Sequence, residues 1–370
     1  GKSEPFLLVI DVQENSSMKA YSRTIKDLDQ IWWMTCLVMV LGGCSGSNNE
    51  LSEFSFNGST MGTTYHITII GEDINSSQRS SIATGVDSLL LEFNHILSTY
   101  DDQSEISLFN RNQSLDPIPV SSELSHVVKT GQKFCSETDG AFDLTVMPIV
   151  NFYGFGFEPG ENRFPDVNEL DAWLQLTGCD KIEWEDSSLT KSDPRVSIDL
   201  SAIAKGDGVD HVSNYLLGIG YTNIFVEIGG EIMSHGTNRK GKPWKIGIDR
   251  PTFGGSPGAD LQHVVQLSDM AIASSGDYRN YREVEGRRIS HTIDPRTGSP
   301  INHNLAAVSV IADNCLEADG LATCVMVLGA EEGLQWLENY PEVEGLLITR
   351  QLDGSFQEYM TSGFHNYLDD

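Results

Sequence analysis

The sequence predicts an α+β fold, a single compact body in which mixed sheets are flanked by helices. Three observations carry this expectation. Segments with a period of two and segments with a helical period both occur, but they do not alternate in the regular strand–helix rhythm of a doubly wound sheet. The chain has 370 residues and a 39% apolar share, enough to bury one large core. No internal repeat is visible, and no linker after Ser52 is long enough to divide the body.

The chain opens with residues that precede a natural-looking start at Met18, so 1–17 read as a non-native N-terminal extension. From Met18 the pattern is that of a bacterial secretory signal: Lys19, Arg23 and Lys26, an apolar run from Ile31 to Val40, then Leu41-Gly42-Gly43-Cys44. The run is short for a bilayer span, and Leu-Gly-Gly-Cys resembles a lipobox in which Cys44 is acylated. An uncleaved anchor helix from Ile31 is the alternative, and either puts the body at a membrane surface. Residues 44–53 are polar and rich in Gly, Ser and Asn, as a tether is. The folded body is then 54–370, beginning near Phe54.

Within the body, Phe54–Ile70 alternates apolar and polar residues as a half-buried strand does, and Gly71 stops it. Ser76–Leu97 places Ile82, Val86, Leu89, Leu90, Phe93 and Leu97 at helical spacing; Ser121–Glu137 repeats the pattern with Leu124, Val127 and Val128. Phe152–Pro165, rich in Gly and aromatics, reads as an irregular loop, and Val167–Leu176 as a short helix. Arg195–Leu200 reads as a strand, Lys205–Leu217 as a helix, and Ile224–Ile228 as a strand running into Gly229-Gly230. Trp244–Ile248, Leu261–Leu267, Met270–Ser274, Val308–Ile311 and Gly345–Ile348 are further strands; Cys315–Leu328 and Glu331–Asn339 are helices.

The formal charge of −29 excludes nucleic acid as a partner, because a phosphate-binding surface needs clustered Lys and Arg. Any polyanion must be met through a cation; most of the acidity reads as a solvated surface. Six cysteines form neither a CxxC pair nor a zinc-spaced cluster. Cys36 and Cys44 lie in the leader. Cys135, Cys179, Cys315 and Cys324 are read as buried free thiols, with disulfide pairing the alternative.

Asp319 and Thr323 lie four apart on a predicted helix, so their oxygens face one way, a pairing suited to a hard cation or to a local hydrogen bond. Asp199-Leu200-Ser201-Ala202-Ile203-Ala204-Lys205-Gly206 reads as a strand end, a tight turn and a helix start. Such a junction aims backbone N–H groups and a lysine at an anion, although an acidic cap with a solvent-facing lysine has the same pattern. Gly58-Ser59-Thr60-Met61-Gly62-Thr63 is a Gly-bracketed loop, and Ala141-Phe142-Asp143 puts a carboxylate beside an aromatic.

Taken in order, eight motifs resemble the ApbE family of FAD:protein FMN transferases from Phe56 to Ile348: Gly-Ser-Thr-Met-Gly-Thr; Ser-Thr-Tyr with Ser104-Glu105-Ile106-Ser107 and Asn110; Gly-Ala-Phe-Asp-Leu-Thr-Val; Asp-Leu-Ser-Ala-Ile-Ala-Lys-Gly; Ile228-Gly229-Gly230-Glu231; Ser274-Ser275-Gly276-Asp277-Tyr278; His-Thr-Ile-Asp-Pro-Arg-Thr-Gly; and Ala-Asp-Gly-Leu-Ala-Thr. Asp207 and Gly208 depart from the family's usual pair after Lys-Gly. The resemblance implies a T-fold-related body and Mg²⁺-dependent transfer of FMN from FAD to a threonine of a target protein, with release of AMP. It implies that Met61, Tyr100, Ala141, Phe142, Asp143, Asp199, Lys205, His291 and Thr292 meet the dinucleotide, and that the Ala202 carbonyl, Asp319 and Thr323 hold Mg²⁺. Lys205 would steady the phosphates and His291 would be the base, with Asp294 or Asp277 as alternatives. Targets would be membrane redox subunits, such as those of Na⁺-translocating quinone reductase. The enzyme would work at the periplasmic face of the inner membrane, or at the outer membrane. An FAD pyrophosphatase and a noncatalytic FAD-binding lipoprotein are the competing readings.

Overall fold

The structure is a computed structural model that describes residues 7–9 and 51–369. The expected signal segment 18–43, Cys44 and the tether up to residue 50 lie outside the described residues. Its centre is an eight-stranded antiparallel sheet of β1 (Leu51–Thr60), β2 (Thr63–Glu72), β3 (Asn223–Ile228), β4 (Glu231–His235), β5 (Met270–Gly276), β6 (Leu305–Ala312), β7 (Glu344–Arg350) and β8 (Phe356–Met360). Spatial order follows chain order, with every neighbour antiparallel. The expected single strand Phe54–Ile70 is therefore two strands, and the pairing begins at Leu51. Met61 (φ 49°) and Gly62 (φ 73°) turn the chain between them, and a two-residue loop with both φ positive matches the right-handed twist of a hairpin. Alternation alone could not show this break; it falls within the expected Gly-bracketed loop Gly58–Thr63, of which Gly58, Ser59 and Thr60 belong to β1.

One face of the sheet packs on α1 (Ser76–Leu97), α2 (Ser122–Glu137), α3 (Ala204–Gly218), α4 (Cys315–Leu328) and α5 (Ala330–Glu338), in a core that includes Ile67, Val226, Val308, Val209 and Leu321. The other face packs on the strands Trp244–Asp249 and Leu261–Leu267 through Ile70, Phe225, Ile272, Trp244 and Ile246. The backbone of Leu7–Val9 pairs along the free side of Trp244–Asp249. Covered on both faces, β6 is buried over its whole length, which is why it reads as a nearly continuous apolar run. The helices start where short polar side chains cap them: Asn75 for α1, Ser121 for α2 and Asn314 for α4.

The expected strand Arg195–Leu200 belongs to no sheet. Its backbone is held instead by Asn110, whose Oδ1 accepts from Ile198 N and whose Nδ2 donates to Ile198 O, both at 2.8 Å, and by Asp199 N donating to Leu144 O at 2.8 Å. A side-chain clamp replaces the ladder, which alternation cannot reveal. The helix Glu105–Arg111 and the hairpin Tyr281–Val284/Arg287–Ser290 are further elements outside the expected set, the hairpin being too rich in charge to read as strand.

Cys135 and Cys179 form a disulfide with Cα atoms 5.7 Å apart, which corrects the reading of both as free thiols; Cys315 and Cys324 are buried and free. The bond ties the end of α2 to a segment 44 residues later. Replacing both cysteines with serine is expected to lower the unfolding free energy by about 2–4 kcal/mol, because the unfolded chain regains the freedom of the closed loop. Thermal unfolding with and without reductant checks this: reductant should lower the wild-type midpoint and leave the double variant unmoved.

Candidate active site

The site forms where α3 and α4 approach closely, and Gly206 makes that approach possible. A Cβ at this position would lie 2.2 Å from the Cys315 carbonyl oxygen and 2.8 Å from Asp319 Cβ. In its absence Gly206 N donates to Asp319 Oδ2 at 3.0 Å. Four residues along α3, Asp210 accepts from Cys315 N and Leu316 N, each at 2.8 Å, so a carboxylate seats the positive N-terminal end of α4. Asp207, one of the two departures from the family pattern, is buried beside this junction; burial first, then the charges of Asp210 and Glu123, push its pKa up to about 7. Gly208, the other, leaves room for Met61, whose Cε is 2.6 Å from where a Cβ would stand.

One turn beyond Asp319, Thr323 Oγ1 donates to Ala202 O at 3.4 Å. The expected metal set thus comes from one helix, α4, and the turn before α3, where Thr323 meets Ala202. Its donors are one carboxylate, one hydroxyl and one carbonyl, all hard oxygens, which fits Mg²⁺ sharing its remaining positions with water and phosphate. Among the described residues no cluster of three or more His, Cys, Asp or Glu could hold a metal, so this mixed set is the candidate.

Lys205 stands over the same site. Its Nζ is 2.5 Å from Glu231 Oε1 and 3.6 Å from Asp319 Oδ1. Burial works against its charge, but the Asp319 and Glu231 carboxylates outweigh burial and raise its pKa, so the ammonium persists. Glu231 is almost wholly buried (1% exposed), a residue to which sequence reading gave no role. Its place follows from the turn before it: Gly229 (φ 62°) and Gly230 (φ 102°) link β3 to β4, and Glu227 Oε1 accepts from Gly230 N at 2.6 Å.

His291 is half-buried, with its ring against Phe155 at 6.2 Å between centroids. Its Nδ1 lies 3.0 Å from Asn280 O. A carbonyl can only accept, so Nδ1 carries the proton and Nε2 keeps the basic lone pair. Burial, assisted by the charge of Lys205, pushes the imidazole pKa down to about 4, which keeps the ring neutral at pH 7.

The alternative bases are committed elsewhere. Asp277 is paired through both oxygens with Arg350 at 3.2 Å. Asp294 is bound at both oxygens by Arg296 (2.9 and 3.0 Å) and accepts from Arg296 N, which corrects its reading as a catalytic group: it holds its own turn.

Of the other expected dinucleotide contacts, Tyr100 is 70% exposed, and its phenol pKa is raised by packing and by the charge of Asp199. Asp199 and Asp143 are buried turn carboxylates, each accepting from the N–H and the hydroxyl of the residue two ahead: Ser201 at 2.8 and 2.5 Å, Thr145 at 2.8 and 2.8 Å. Ala141 and Phe142 are core residues, Phe142 packing edge-on to Phe134. Thr292 is buried, with its N–H on Ser290 Oγ.

The ApbE family profile matches residues 61–347. The FAD:protein FMN transferase of Vibrio cholerae is 41% identical over 338 residues, covering 91% of this chain and 98% of the relative. That of Escherichia coli K12 is 37% identical over 318 residues, 84% and 88% of the two chains. In solved structures, the flavin transferase ApbE of Vibrio cholerae superposes with a TM-score of 0.78 at 41% identity, covering 86% of this chain and all of that one. The apo flavinyl transferase ApbE of Pseudomonas stutzeri does so with a TM-score of 0.77 at 35% identity, covering 86% and 97%.

Proposed function

The chain belongs to the ApbE family, and on that premise we propose that it transfers the FMN moiety of FAD to a threonine hydroxyl of a target protein, releasing AMP. The observation that carries this reading is an all-oxygen cation set (Ala202 O, Asp319, Thr323) and an ammonium (Lys205) at one helix junction, with a neutral histidine (His291) whose pKa the charge of Lys205 helps to lower.

The chain's own groups divide the work. Lys205 presents a permanent positive charge to the bridging phosphates, lowering the cost of charge that accumulates on the departing AMP. His291 Nε2 takes the proton of the attacking hydroxyl as the threonine Oγ–P bond forms and the P–O bond to AMP breaks. Asp319 and Thr323, fixed on one face of α4, with the Ala202 carbonyl opposite, would hold Mg²⁺. When bound, that ion supplies neutralisation of the pyrophosphate. The burial of Asp319 and Glu231, the two carboxylates beside Lys205, keeps this part of the site poor in water, which strengthens each of these charges.

Incubation with FAD, Mg²⁺ and an acceptor domain carrying an exposed target threonine is expected to give flavin that stays with the acceptor in a denaturing gel, and AMP in equal amount. An acceptor with Thr→Val at that position should stay unlabelled. FMN and AMP without labelling would establish an FAD pyrophosphatase instead, and intact FAD a noncatalytic flavin carrier. We further place the enzyme at the periplasmic face of the inner membrane, anchored through acylated Cys44, with redox subunits of the Na⁺-translocating quinone reductase type as its targets. The support is the secretory pattern of 18–43 and the family of the body.

A further inference from the structure

Resting on that reading, we infer that Glu231 is a positioning residue: its buried carboxylate fixes the Lys205 ammonium over the phosphate side of the site and keeps it from neutralising Asp319. Three observations lead there. Lys205 Nζ is 2.5 Å from Glu231 Oε1 but 3.6 Å from Asp319 Oδ1, so of two buried carboxylates the ammonium takes the one outside the cation set. Glu231 Oε1 bonds Lys205, whereas Oε2, equally buried, has no hydrogen-bond partner. The one hydrogen-bonded oxygen of this carboxylate is thus given to Lys205, and the cost of burying the charge is offset chiefly by that ammonium.

The third observation is that the element bearing Glu231 is itself held in register. Glu227 accepts from Gly230 N through Oε1 (2.6 Å), while its Oε2 meets His66 Nδ1 (2.6 Å). The Gly229-Gly230 turn cannot shift without breaking this clamp. Lysine is a long stem with four rotatable bonds, and a point charge so carried is precise only if its end is fixed. Without Glu231, the nearest anion left to the ammonium is Asp319. Lys205 would then compete with the divalent ion for the carboxylate meant to bind it.

The test compares wild type, Glu231→Gln, Glu231→Asp, Lys205→Met and the double variant Glu231→Gln/Lys205→Met. The readouts are transfer kinetics, the Mg²⁺ concentration for half-maximal rate, FAD binding by flavin fluorescence, and thermal midpoints. Glu231→Gln is expected to keep its midpoint, lower kcat/KM by about tenfold to a hundredfold, and raise the Mg²⁺ requirement about tenfold, as displacement of one charge by an ångström does. Glu231→Asp should recover part of the loss, and the double variant should be no worse than Lys205→Met alone, because residues acting as one unit are not additive. Additive losses, or an unchanged Mg²⁺ requirement in Glu231→Gln, would overturn the assignment. Should Glu231→Gln fail to fold, the comparison of the double variant with Lys205→Met still decides, since neither carries an unpaired lysine. A wild type that binds FAD but releases no AMP would defeat the transferase reading; weakened FAD binding in Glu231→Gln would even then support the positioning role.

Discussion

Asp319→Asn is expected to lower the rate of flavin transfer by about 10²–10³-fold, the scale on which loss of one preorganised electrostatic contact acts. The substitution is nearly isosteric, and the asparagine carbonyl can still accept from Gly206 N, which Asp319 Oδ2 does now at 3.0 Å. What disappears is the charge in the only carboxylate of the set shared with Ala202 O and Thr323. Calorimetric titration with Mg²⁺ in the presence of FAD should show weakened binding of the ion, while the thermal midpoint stays close to that of wild type. Removing a buried carboxylate that faces Lys205 leaves Glu231 as counter-charge, so the fold is not left with an unpaired ammonium. An Asp319→Asn enzyme with the wild-type Mg²⁺ requirement would remove the cation set from the mechanism.

His291→Ala is expected to cost about 10²–10⁴-fold in kcat/KM, the usual contribution of a positioned general base. The pH profile of the wild type provides the independent check. The pKa of His291 is pushed down to about 4 by burial, so its neutral form, the one that can accept a proton, persists well below the ordinary histidine range. The rate should therefore be flat between about pH 6 and 8 and fall only as pH drops toward that lowered value, since protonation of Nε2 removes the base. The acid limb belongs to free enzyme and is read from kcat/KM, not from kcat. A limb near pH 6.5 would mean that the ring is open to water during catalysis; an unaltered rate in His291→Ala would mean that another group takes the proton.

How much of this was legible before any coordinates differs from residue to residue. The helix Cys315–Leu328 could be read to its ends, because its cap, its apolar content and the Gly329 that stops it are all local signals. The pairing of Asp319 with Thr323 was equally local, one helical turn apart. Phe54–Ile70 failed as one strand because both halves of a hairpin alternate; the Gly-bracketed loop read over Gly58–Thr63 marks the break, which the backbone narrows to Met61-Gly62. Arg195–Leu200 failed because Asn110, far back in the chain, supplies the bonds a neighbouring strand would have made. Asp294 looked like a candidate base because sequence cannot show that Arg296, two residues on, folds back over both of its oxygens.

The chain itself determined the family, the elements whose periodicity and caps lie within a dozen residues, and the chemistry on offer: oxygen donors, one lysine and one histidine in a set order. Only the tertiary structure decided which of those groups meet. Gly206 lets two helices touch, Glu231 at the start of β4 reaches Lys205 on α3, and Asn280 sets the tautomer of His291. The physical reason is that side-chain chemistry is local, whereas distance, burial and the direction of a lone pair depend on contacts between residues remote in sequence.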